Sequence, residues 1–220
     1  MIVVVLIIVM FVNNVVLINA KIPSESMEKT IMTGDRIFGF RLAYGLNISL
    51  FGHEISKKVK DPERFDIIIF KYPDDEKQLF IKRLIGLPGE KVQITDGKVY
   101  INDSEVPLDD SFVAETPLGD FGPYEVPENC YFMLGDNRNH SKDSRYWKNS
   151  FVTFDEIVGK AVIRYYPSVK LLGCLWEACI LKPEEAGNTR LQLCEDKVFN
   201  LQVCFWWKRK AGQRKRRRME

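Results

Sequence analysis

Ser26 lies in the run Ile22-Pro23-Ser24-Glu25-Ser26-Met27-Glu28-Lys29-Thr30, with Gly34-Asp35 close behind. By itself such a serine reads as a surface turn held by hydroxyl contacts. Its chemical interest comes from Lys82, in the segment Phe80-Ile81-Lys82-Arg83-Leu84. As a strand, that segment places Lys82 on the face of Phe80 and Leu84, with apolar neighbours on both sides. A free lysine titrates near ~10.4, is protonated at neutral pH and cannot accept a proton from a serine. Burial among apolar groups disfavours the ammonium, and a drop of ~2 to 3 units, about 3 to 4 kcal/mol, makes a working base. Ser26 and Lys82 then form a catalytic pair that needs no histidine. The competing expectation is a lysine that snorkels to solvent at a strand edge.

A third stretch, Gly135-Asp136-Asn137-Arg138-Asn139-His140-Ser141-Lys142-Asp143-Ser144-Arg145-Tyr146-Trp147, is densely polar and directly follows an expected strand. In a site it supplies a hydroxyl that can aim a neutral lysine. As a plain surface loop it pairs Asp143 and Arg145 with each other or with Arg83, contacts that stabilise little when exposed. The two histidines, His53 and His140, have no partner at helical or finger spacing and no C-x-x-C occurs, so neither a metal nor another cofactor is expected.

These residues need a frame. From Ile37 onward the chain reads as short β runs separated by turns. Asp66 to Tyr72, Gln78 to Ile85 and Tyr131 to Leu134 are such runs. Val92 to Ile94 and Lys98 to Ile101 flank Thr95-Asp96-Gly97, where Asp-Gly offers the positive φ angles of a tight hairpin. Leu87-Pro88-Gly89 and Gly135-Asp136-Asn137 are further turns, and Asp155 to Tyr166 is a last apolar run before Pro167. The folded body is expected over residues 21–168.

Residues 1–20 carry no charge, and as a helix at ~1.5 Å per residue they reach ~30 Å, the thickness of a bilayer core. We read them as a retained transmembrane anchor. A cleaved secretory peptide calls for a basic start and for smaller residues than Ile18-Asn19-Ala20. On charge alone, Lys21, Lys29 and Arg36 place the following domain on the cytoplasmic side. Beyond the body, Leu171 to Leu181 and Val198 to Trp207 are apolar but too short to span. Residues 169–220 therefore read as an atypical extension with a basic, disordered end. The formal charge of +2 hides that end: Lys208 to Glu220 hold eight basic residues and one acidic, leaving 24 basic and 29 acidic residues elsewhere. An acidic body with a solvated basic tail gives no reason to expect a nucleic-acid partner. Of the five cysteines, Cys130 is alone in the body, and Cys174, Cys179, Cys194 and Cys204 come late.

Four ordered stretches, IPSESM with TGD behind it, DIIIFKYP, IKRLIGLPGEKV and GDNRNHSKDSRYW, are joined by EVPENCYFMLGDNR and VGKAVIRYYP. With them, roughly residues 1–168 resemble bacterial type I signal peptidases, membrane-bound Ser/Lys proteases that release signal peptides from exported preproteins. The resemblance implies a mainly β catalytic domain, a sheet or partial barrel, behind one N-terminal transmembrane helix. It implies Ser26 as nucleophile, Lys82 as general base, Ser24 as an oxyanion-hole donor beside the Ser26 backbone N–H, and Ser141 as the residue that orients Lys82. Asp143 and Arg145 become structural supports, and Ile22, Pro23, Met27, Phe80 and Ile81 the substrate-binding surface for small side chains at the cleavage site. Its implied partners are preprotein signal peptides and the lipid bilayer. The domain is implied to sit on the extracytoplasmic side of the cell membrane as a single-pass protein, against the charge-based orientation.

Lys29 stands where many members of that family have proline. It creates Ser26-Met27-Glu28-Lys29, the S-x-x-K signature of penicillin-binding proteins and serine β-lactamases. That reading requires a helix from the serine and S-D-N and K-T-G elements downstream, and neither triplet occurs. A self-cleaving Ser/Lys repressor would carry a DNA-binding helical domain in place of the apolar run. A membrane-anchored β module that binds exported chains without cutting them is the non-enzymatic alternative.

Overall fold

The computed structural model describes residues 1–50, 53–113 and 115–173. In chain order it has one α-helix, α1 (Ile2–Phe11), and the strands β1 (Leu17–Lys21), β2 (Arg36–Phe40), β3 (Gly45–Leu50), β4 (His53–Lys58), β5 (Ile67–Tyr72), β6 (Asp75–Gly86) and β7 (Lys91–Thr95). They continue with β8 (Lys98–Ile101), β9 (Phe121–Glu125), β10 (Cys130–Leu134), β11 (Val152–Thr153), β12 (Ile157–Tyr166) and β13 (Lys170–Leu171). The main sheet runs β1-β2-β12-β5-β6-β10-β11, with β13 also on β12; β8-β7-β9 form a second sheet and β3-β4 a hairpin. The mainly β expectation is met.

The centre of the main sheet is β5, whose run Ile67-Ile68-Ile69-Phe70 is buried on both faces. Alternation splits it between two cores. Ile68 and Phe70 pack with Leu84, Tyr131, Met133 and Trp147, whereas Ile67 and Ile69 pack with Ile18, Ile22, Met27, Ile31, Ile37 and Ala161. A third core, with Val92, Ile94, Val99 and Val126, seats the second sheet on Ile85, Phe132 and Leu134. The expected hairpin forms between β7 and β8, with Asp96 at φ 50° and Gly97 at φ 72°.

At the N-terminus the structure corrects the expectation of one continuous helix. Only ten residues are α-helical, with a π-helical turn over Val12–Val16 and then strand β1. The strand wins because Leu17 to Lys21 pairs in register with Phe40 to Arg36 and buries Ile18 in the second core. Asn14 also turns its side-chain amide back to the Met10 carbonyl at 2.8 Å. No helix among the described residues is long and apolar enough to cross a membrane. At the other end, β13 extends the sheet past residue 168 by pairing Leu171 and Lys170 with Ile163 and Arg164. The expectations for Cys174, Cys179, Cys194, Cys204 and the basic end lie outside the described residues.

Candidate active site

The turn that presents Ser26 leaves the sheet after β1 and re-enters it at β2. Its base is closed by Ile22 N–H to the Asp35 carbonyl at 2.9 Å and Gly34 N–H to the Ile22 carbonyl at 2.8 Å. Gly34 supplies the φ of +90° that this closure needs. Within the turn, Glu28 N–H reaches the Glu25 carbonyl and Ile31 N–H the Met27 carbonyl, at 2.9 and 2.8 Å. Met27 and Ile31 are fully buried in the second core and peg the turn down. The Asp35 carboxylate accepts from Met32 N–H at 2.8 Å and from Arg164 Nη1 at 3.2 Å, which ties the turn to β12.

Lys82 lies across from Ile68 in the β5–β6 register, on the face of the first core. It is 4% exposed, Ser26 is 5% exposed, and Lys82 Nζ donates to Ser26 Oγ at 2.5 Å. Burial lowers the Lys82 pKa from 10.5 to about 8, a shift opposed by the negative charges of Asp143 and Asp136 and assisted by Arg145. The snorkelling alternative is therefore excluded. Ser24 Oγ lies 3.4 Å from Ser26 Oγ, and Ser24 is exposed where Ser26 is buried.

The loop after β10 holds this pair from behind. Asn137 N–H donates to the Ser26 carbonyl at 3.1 Å and Asn137 Nδ2 to the Glu25 carbonyl at 3.2 Å. Gly135 is required by space: a Cβ there would lie 2.4 Å from the Ser26 carbonyl oxygen and 2.2 Å from Ser141 Oγ. Asp143 and Arg145 form a buried bidentate pair at 2.8 and 2.9 Å, and Asp143 also accepts Gly135 N–H at 3.0 Å. Arg83, next to Lys82, forms a second bidentate pair with Asp136 at 2.8 and 2.6 Å, joined by the Thr30 hydroxyl at 2.5 Å. A third pair joins Arg138 to Asp110 at 3.1 and 2.8 Å.

Two expected contacts are not made. Ser141 is buried beside the pair, but its hydroxyl has no hydrogen-bond partner among the described residues; Lys82 is turned to Ser26 instead. Met27, expected on a substrate-binding surface, is fully buried, its side chain spent on anchoring the turn in the core. Sequence reasoning also passed over Asn137, Asp136, Gly135 and Thr30. Only Arg83 left a signal for its contact with Asp136, an arginine beside Lys82 in an otherwise apolar run that needs a partner of opposite charge.

The pair opens into a cleft of about 820 Å³ bordered by Pro23, Ser24, Ser26, Phe80, Ile81 and His140. A second cleft of about 570 Å³, reached past Pro23, Phe80 and Ile81, has Ile22 and Ile18 in its wall. One edge of β6 is paired with β5 throughout residues 79–83, but β10 covers the other edge only at Arg83, Leu84 and Gly86. The stretch entering the cleft therefore has a strand edge with no strand partner among the described residues.

The chain matches the family described as signal peptidase, peptidase S26, over residues 1–166. It is 34% identical over 188 residues to a probable signal peptidase I-2 of Synechocystis sp., covering 77% of this chain and 78% of that one. It is 39% identical over 157 residues to signal peptidase I of Leptolyngbya laminosa, covering 68% and 69%. To signal peptidase I of Pseudomonas fluorescens it is 33% identical over 188 residues, covering 69% and 66%. A match spanning the Ser26 turn, the Lys82 strand and the polar loop alike means that the chain belongs to the signal peptidase family, peptidase S26.

Proposed function

We propose that this chain cleaves signal peptides from preproteins with Ser26 as nucleophile and Lys82 as general base. The observation that carries the proposal is the 2.5 Å contact between the two groups, with the lysine pKa lowered by burial to about 8. Once Lys82 is neutral, the same contact runs in the opposite sense: Ser26 Oγ–H donates to Nζ, the proton moves to the amine, and Oγ attacks the scissile carbonyl. The ammonium so formed returns its proton to the leaving amine as the C–N bond breaks, leaving an acyl ester on Ser26. Water, deprotonated by Lys82, then hydrolyses that ester and restores both groups.

The oxyanion of each tetrahedral intermediate needs donors, and the Ser26 backbone N–H with the Ser24 hydroxyl are the groups at hand. Ser141 is the residue to receive the lysine when it swings away from Ser26. The substrate lies extended along the free edge of β6, where main-chain hydrogen bonds complete the strand and Ile22, Pro23, Phe80 and Ile81 accept small side chains. We place α1 at the lipid surface and the site on the extracytoplasmic side. Support for the first comes from an apolar helix exposed along its described residues, with Ile2 78% and Phe11 57% accessible.

The test is cleavage of a preprotein by the full chain in detergent. The parent should release a mature product and Ser26→Ala none; a parent that binds the preprotein but releases nothing would favour the non-catalytic module.

A further inference from the structure

Lys29 combines two features that the reaction itself does not call for. It is a non-glycine residue at φ 79°, inside the turn that carries Ser26. Proline, with φ fixed near about −65°, cannot occupy this backbone. Its ammonium crosses to another part of the chain, donating to the Ser111 carbonyl at 2.6 Å and to the Val113 carbonyl at 2.9 Å. The segment it grips is held a second time, because neighbouring Asp110 takes both terminal nitrogens of Arg138 at 3.1 and 2.8 Å. Arg138 is itself buried, with Nε donating to the Gly135 carbonyl at 3.2 Å. The adjacent Asn137 closes the circuit on the Ser26 carbonyl at 3.1 Å.

Ser26 thus sits in a ring of contacts. The ring runs from its own turn through Lys29 to residues 111 and 113, through Asp110 to Arg138, and through Asn137 back to Ser26. We propose that Lys29 is a positioning residue for Ser26, holding the turn by a side-chain clamp onto residues 111–113. The clamp touches neither the reacting atoms nor Lys82. It restricts how far the nucleophile turn can move against the polar loop, and a displacement of about 1 Å at a reacting centre is enough to cost up to ~10²-fold in rate. This inference rests on Ser26 being the nucleophile.

Peptide cleavage by the full chain in detergent tests it, with kcat and KM measured separately for Lys29→Ala, Lys29→Gly, Lys29→Arg, Asp110→Asn and the double variant Lys29→Ala/Asp110→Asn. Lys29→Ala should lose roughly tenfold in kcat with KM and the acidic limb of the pH profile unchanged, because the substrate edge and Lys82 are untouched. Lys29→Gly suits the positive φ but has no ammonium, so it should be as slow as Lys29→Ala, while Lys29→Arg should recover most of the rate. The double variant should be little worse than either single one, because both break the same ring. Parent-like kcat in Lys29→Ala, a parent-like Lys29→Gly, or fully additive losses would each overturn the clamp. If Ser26→Ala retained cleavage in the same assay, it would be the assignment of the nucleophile that failed.

Discussion

Lys82 is held where a lysine is least comfortable as a cation, and that has a consequence for stability as well as rate. Its folded pKa of about 8 lies below the free value of 10.5, so between those values the unfolded chain binds more protons than the native one and stability rises with pH. Below about pH 8 the full penalty applies, roughly 3 kcal/mol by the size of the shift. Lys82→Met should therefore flatten the pH dependence of unfolding over that window and raise stability at pH 7, read by denaturant titration at several pH values. The gain should fall short of the full penalty, since the contact to Ser26 is lost. Ser24→Ala should slow cleavage by about 10²- to 10³-fold, the scale of one oxyanion donor, without abolishing it. An unchanged turnover would remove Ser24 from the site.

At the scale of elements, the site is a meeting of three segments: the turn between β1 and β2, strand β6, and the loop after β10. The bidentate Arg83–Asp136 pair joins the last two, and Thr30 brings in the first. Asp136 is fully buried, so Arg83→Ala leaves a carboxylate without its partner and should cost about 3 to 5 kcal/mol in denaturant unfolding. Gly135→Ala should abolish cleavage through a different route, because a methyl group there meets the Ser26 carbonyl and Ser141 at once. Both segments flanking Lys82 were legible in the sequence: the β-branched run of β5 and the alternation in β6 placed the lysine on an apolar face. The turn-to-loop contacts were not. Asn137 to Ser26 and Lys29 to Ser111 join residues far apart in the chain, and no local pattern of residue types reports such a pairing.

For the whole molecule, the sheet is complete without α1. The helix exposes apolar side chains along its described length, and β1 rather than α1 supplies Ile18 to the core. A chain lacking residues 2–11 should fold with the same cooperativity and cleave a short soluble peptide, but it should lose co-flotation with phospholipid vesicles; retained flotation would assign membrane contact elsewhere. The length of this helix shows why hydropathy overreached at the N-terminus. Residues 1–20 are uncharged and apolar apart from Asn13, Asn14 and Asn19, and nothing in the apolar positions separates a bilayer-facing residue from one facing a protein core. Ile18 is apolar because it packs on Ile37 and Ile69, a demand set by partners elsewhere in the chain. The short β13 was invisible for a similar reason: two residues become a strand only because Ile163 and Arg164 offer them an edge.

The central claim is that Lys82, made neutral by burial, takes the proton from Ser26. Its most direct test is the pH dependence of kcat/KM for peptide cleavage by the parent chain, with Lys82→Ala as the inactive control. The claim predicts an acidic limb with an apparent pKa near 8, where Lys82 loses its proton in the folded protein. A limb near ~10, the range of an exposed lysine, or near-parental rates in Lys82→Ala, would contradict it.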